Sequence, residues 1–151
     1  MQKRTLIAFL VFFSMGWILP VLSADPQEPA LRKITFPTGT AILAEVADTL
    51  PKRELGLMFR KSLAKDRGML FTFEHPGLYH FWMKNCRLSL DIIWLDQKKR
   101  IVHIESNVPP CLSDPCPTYG PAEKTSYVIE TVAGFANENG LRPGLEVKFS
   151  P

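Results

Sequence analysis

Three charged residues sit inside apolar runs. Lys84 lies in Phe81-Trp82-Met83-Lys84-Asn85, Asp91 in Leu90-Asp91-Ile92-Ile93, and Glu130 in Tyr127-Val128-Ile129-Glu130. A charge taken into an apolar interior is costly unless it is paired and hydrogen-bonded. The first expectation is therefore a structural network among these three. The second is a ligand site floored by Trp82, in which Arg60 and Lys84 receive a small anionic or polar molecule and Asn85, Asp91 and Glu130 complete the lining. The same carboxylates could serve a small hydrolase or transferase as general acid or base at Asp91 or Glu130. That chemistry needs a cleft and perturbed pKa values, neither of which a sequence displays.

A third chemistry is a soft-metal carrier built from Met58, Met69 and Met83 with His80 and His103. The methionines fall at core-facing spacings, and neither histidine has a ligand-spaced partner. No metal and no cofactor is expected. Cys86 as a nucleophile would need a nearby base to raise its thiolate fraction. His80 lies too far back along the same run, so a small buried side chain is the simpler reading. The chain has no Gly-rich phosphate loop, no Ser-centred elbow and no zinc-binding His/Glu pattern.

Around these residues the 151-residue chain has room for one domain with a core. Met1-Gln2-Lys3-Arg4 followed by the uncharged run Thr5–Leu22 and the small residues Ser23-Ala24 reads as a signal peptide over residues 1–24, with an uncleaved anchor as the alternative. A periplasmic or extracellular protein follows, touching a membrane only through that segment if it is retained. Removing Lys3 and Arg4 lowers the formal charge from +3 to +1, which leaves no basic surplus for a nucleic-acid partner. In an oxidising compartment, Cys111 and Cys116 in Pro-Pro-Cys-Leu-Ser-Asp-Pro-Cys-Pro favour a disulfide across a tight turn, with a metal-ligand pair as the competing reading.

Residues 25–30 form a flexible leader, and 31–151 a single mainly-β domain of barrel or sandwich type. Alternating or densely apolar runs predict about eight short strands: 32–36, 40–47, 69–73, 78–85, 90–95, 100–105, 126–131 and 145–149. The first two read as a hairpin across Pro37-Thr38-Gly39. His75-Pro76-Gly77 reads as a turn. Two short helices are expected. One starts at Asp48-Thr49-Leu50-Pro51 and runs to about Met58, with Leu50, Leu55 and Met58 facing the core. The other spans Ala133–Asn139. Between them, 107–125 is a loop with five prolines that needs pinning.

Gly56-Leu57-Met58-Phe59-Arg60, Gly68-Met69-Leu70-Phe71-Thr72-Phe73, Trp82-Met83-Lys84-Asn85, Leu90-Asp91-Ile92-Ile93 and Tyr127-Val128-Ile129-Glu130 together resemble the family called domain of unknown function 192. The likeness runs over about Leu31–Phe149 and implies a compact, mostly-β domain, often exported from bacteria, without an established biochemical activity. Members usually carry Thr where this chain has Cys86, a much weaker hydrogen-bond donor. The Cys111 and Cys116 loop is similar to that of the family's exported branch.

Overall fold

The computed structural model describes residues 29–150; the proposed signal peptide lies outside them. Leu31–Thr35 (β1) and Ala41–Ala47 (β2) form the expected antiparallel hairpin, with Ile34 opposite Ile42. Its turn is closed by the Phe36 N–H donating to Thr40 O at 2.8 Å. The single helical turn and a half Leu50–Leu55 (α1) starts where the Thr49 side chain caps Lys52 N and Pro51 sits in the first turn. It ends sooner than expected, at Gly56, whose φ of 47° suits glycine. A helix this short cannot lay a continuous stripe on the core. Leu50 and Leu55 are 62% and 56% exposed, and Leu57 beyond the helix takes the buried place instead.

Arg67–Gly77 (β3) runs parallel to β2, so α1 lies on the crossover between them. β3 continues through His75-Pro76-Gly77, where a turn was expected. The register shifts there, between Thr72 and Gly77, and at such an irregularity a proline interrupts no ladder bond. The expected strand 78–85 contracts to Phe81–Trp82 (β4), which pairs with Thr118–Tyr119 (β7). It is cut short because Asn85 turns into the left-handed region (φ 57°) and Met83 O accepts from both Cys86 N and Cys111 N, each at 3.1 Å. Leu90–Leu95 (β5) is buried throughout and Ile101–Val108 (β6) pairs with it. Thr125–Val132 (β8), Phe135–Glu138 (α2) and Lys148–Ser150 (β9) complete the described chain.

The larger sheet has the order β6-β5-β8-β3-β2-β1-β9. It does not close, but its edges meet at one corner. Gly144–Val147, just before β9, exchange three backbone hydrogen bonds with Lys99 and Ile101 at the start of β6. The architecture is mainly β, with nine strands and two short helices among the described residues.

Strand alternation sorts the core into two clusters on opposite sides of this sheet. Ile34, Ile42, Leu70, Ile93, Leu95, Ile129 and Phe135 form one. Met69, Phe71, Ile92, Trp94 and Val128 point the other way, joined by Val108 at the end of β6, under a covering layer that supplies Leu57, Met83 and Cys86. The Cys111–Cys116 disulfide is formed, and it pins the proline-rich loop. Cys86 is a free, buried thiol. A thiol-labelling mass spectrum of protein denatured without reductant is therefore expected to show one adduct. Two or three adducts would contradict the bridge.

Candidate functional site

Glu130 lies on β8, the strand held between β5 and β3, with Ile92 on one side and Met69 on the other. Both neighbours belong to the second, outward cluster, so the Glu130 side chain projects beneath the covering layer. Gly68 permits the close approach of β3 to this point. A Cβ there would stand 2.5 Å from the Glu130 carbonyl oxygen. The result is a glutamate residue only 4% exposed. No side-chain hydrogen bond reaches it among the described residues. Burial pushes its pKa up to about 8, and the nearby positive charge of Arg60 offsets only part of that rise. Glu130 is thus predominantly protonated at neutral pH.

Above Glu130 opens a pocket of ≈ 780 Å³ between the sheet, α1 and the 78–82 segment. Its walls are mostly aromatic and aliphatic. Phe71 and Phe81 meet edge to face at 4.9 Å, and Phe73 and Tyr79 stack at 3.5 Å. Leu50, Leu55, Leu78 and Trp82 line it as well, and all four are among the chain's exposed large hydrophobic residues. Cys86 reaches the same pocket. Its thiol is pushed up to about 11, first by burial and then by the Glu130 charge, which makes it a poor nucleophile.

The six residues singled out in the sequence are not gathered at one point. Trp82 and Glu130 share the pocket. Arg60 lies close enough to Glu130 to influence it, but its guanidinium is committed to Glu45 through two hydrogen bonds of 2.6 Å. Lys84 stands 5.5 Å from the centre of the Trp82 ring, with its ammonium bonded to Asp114 at 2.7 Å. Asn85 serves the backbone. Its left-handed conformation lets its carbonyl accept from Phe59 N at 2.9 Å, and Phe59 is itself left-handed with φ 64°. Asn tolerates that conformation, whereas for a bulky residue such as Phe it is uncommon.

Asp91 is placed elsewhere altogether. It shares a face of β5 with Ile93 and Leu95, members of the first cluster, and so points away from Glu130. Its carboxylate accepts from three backbone N–H groups: Asn107 at 2.8 Å, Gly134 at 3.1 Å and Ala136 at 2.7 Å. It therefore ties the end of β6 to the start of α2, and the expected network of Lys84, Asp91 and Glu130 does not form. Of the soft-metal set, Met69 and Met83 are buried in the outward cluster with Met58 packed against it, His103 bonds Glu105 at 3.0 Å beside Trp94, and only Met58 and His80 reach the pocket.

Sequence reasoning missed the pocket's aliphatic rim. Leu50 and Leu55 were expected to face the core from a helix reaching Met58; the helix ends at Gly56 and leaves both on the rim. The two carboxylates, by contrast, look alike in sequence. One position of strand parity separates Ile92, which pairs with Glu130, from Asp91, which faces the opposite side.

The sequence matches the DUF192 family, described as "Uncharacterized ACR", over residues 33–149. The chain belongs to this family. Two solved structures are similar to it. One is a candidate transcription regulator from Sinorhizobium meliloti: 31% identity, TM-score 0.72, covering 80% of this chain and 95% of that one. The other, from Novosphingobium aromaticivorans, is of unknown function: 29% identity, TM-score 0.70, covering 82% of this chain and 89% of that one. No curated protein matches.

Proposed function

We propose that this protein is an exported ligand-binding module whose site is the pocket above Glu130. Its ligand has an apolar body and one polar head group. The observation that carries this reading is a nearly buried carboxyl group with no side-chain hydrogen bond, facing a large apolar-walled space. Buried polar groups are ordinarily paired, and a bound molecule's head group would supply the missing partner. The walls supply the affinity, since burying apolar surface yields about 25 cal/mol per Å² before the costs of association are subtracted. The export part rests on the N-terminal segment alone. The transcription-regulator description of one relative is not extended to this chain, because the charge of +1 left after the proposed cleavage gives no basic surplus.

The dye phenylnaphthylamine, which fluoresces in apolar surroundings, tests this. Its emission is expected to rise on mixing with the protein. Leu78→Glu, a charge placed on the pocket rim, should weaken binding about tenfold or more, a factor equivalent to roughly 1.4 kcal/mol. Leu112→Glu, at an exposed site outside the pocket, should leave it unchanged. No rise in emission, or equal behaviour of the two variants, contradicts the reading.

One observation favours a second reading. A carboxylic acid protonated near neutral pH in a cleft is suited to general acid catalysis. Glu130 alone would carry it, because the Asp91 carboxylate is engaged by backbone donors on the other side of the sheet.

A further inference from the structure

The charged groups around the pocket narrow the choice of head group, on the premise that the pocket is a binding site. We propose that the pocket takes an organic amine, its alkyl or aryl body against the apolar walls and its ammonium group on the Glu130 carboxyl, ringed by aromatic side chains.

Four observations carry this. First, Glu130 on the pocket floor is only 4% exposed as a residue, and its carboxyl has no hydrogen-bond donor from any side chain among the described residues. Second, the cations that could have neutralised it are engaged elsewhere. Arg60 makes its two 2.6 Å bonds to Glu45, and Arg53 donates to the carbonyls of Asp48 and Thr72 at 2.9 and 3.0 Å. Third, the charged lining leans acidic, with Glu54 and Glu74 against Arg53, beside the Glu130 carboxyl and the imidazoles of His75 and His80. An anion entering this space would meet the Glu130 carboxyl, and the guanidinium in the described lining, Arg53, already donates to two backbone carbonyls through Nη1. Fourth, Phe71, Tyr79 and Phe81 line the space with Phe73 and Trp82, and the last two already hold the Arg53 and Lys84 cations 5.3 and 5.5 Å from their ring centres. Aromatic rings attract a desolvated ammonium by up to about 2 kcal/mol, and they offer an anion nothing comparable. The anionic ligand expected from Arg60 and Lys84 is disfavoured for the same reasons.

The proton balance is simple. An ammonium ion entering the pocket meets a carboxylic acid, the acid gives its proton to solvent, and the resulting carboxylate pairs with the unchanged ammonium. One proton is released for each molecule bound to the protonated form. An alcohol of the same chain length releases none.

The test uses octylamine, octanol and octanoate in competition with phenylnaphthylamine, on the native protein and on Glu130→Gln. Octylamine is expected to displace the dye at least about tenfold more tightly than octanol, with octanoate weakest. Calorimetry in buffers of different ionisation enthalpy should show proton release with octylamine only. In Glu130→Gln, octylamine should fall to within about threefold of octanol and release no proton, while octanol still binds. That retained octanol binding shows that the variant is folded and its pocket intact. Octanol or octanoate equal to octylamine on native protein overturns the amine inference and leaves the pocket reading standing. So does an octylamine preference that survives in Glu130→Gln. If none of the three displaces the dye, both readings fall.

Discussion

Acidifying the solution from about pH 8.5 to about pH 5 is expected to stabilise this protein, and Glu130→Gln is expected to abolish most of the gain. The sign follows from the direction of the shift. The folded-state value for Glu130, about 8, lies above its ordinary value of 4.5. Between those limits the native carboxyl keeps a proton that the unfolded chain has released. Folding therefore takes up a proton, and stability falls as pH rises across the window. The slope approaches 1.4 kcal/mol per pH unit, so the whole window is worth roughly 4–5 kcal/mol. Below it both states are protonated, and above it both are ionised, so this group adds no further change. Glutamine keeps the shape of the protonated side chain and cannot ionise. Urea denaturation across the window measures the effect, and the difference between native and variant slopes isolates Glu130 from every other group. Parallel slopes would show that Glu130 ionises as an ordinary carboxylate and that burial does not govern it.

Asp91→Ala should cost about 3–5 kcal/mol, enough to unfold a marginal domain. Three backbone donors, at Asn107, Gly134 and Ala136, lose their common acceptor. A buried donor left without a partner costs about 1–3 kcal/mol. Asp91→Asn, which keeps one acceptor oxygen, should recover part of the loss. The measurement is again urea denaturation, read beside dye binding at a concentration where the variant remains folded. Lost stability with retained binding is the expected pattern. A stable Asp91→Ala protein that has lost binding would return Asp91 to the ligand site.

These two carboxylates show what the sequence could and could not carry. Both were visible as charges inside apolar strands, and both are buried, as such runs imply. Their roles diverge because alternation along a strand defines two faces without saying what covers either one. The cover over Glu130 comes from α1 and the 78–82 segment, which are remote in sequence, and their contact leaves a pocket. The cover over Asp91 comes from the start of α2, whose N–H groups fill the space. The partners of Arg60 and Lys84 were likewise illegible. Glu45 and Asp114 meet them only through the parallel β2–β3 crossover and the disulfide-pinned loop. The hairpin β1–β2, the buried strand β5 and the Cys111–Cys116 bridge were readable because each is set by local pattern. The 78–85 segment misled for the opposite reason. Its side chains alternate as in a strand, with Met83 buried while Trp82 is 49% exposed, but past Trp82 the backbone leaves the β4–β7 ladder, and Met83 O accepts from Cys86 N and Cys111 N.

The most direct test of the pocket is backbone amide chemical-shift mapping by NMR as octanol is added. The expected shifts fall on the three stretches that line the pocket: Leu50–Met58, Phe71–Trp82 and the neighbourhood of Glu130. Shifts scattered over the surface, or concentrated near Asp91 and α2 with the pocket silent, would contradict a ligand site above Glu130.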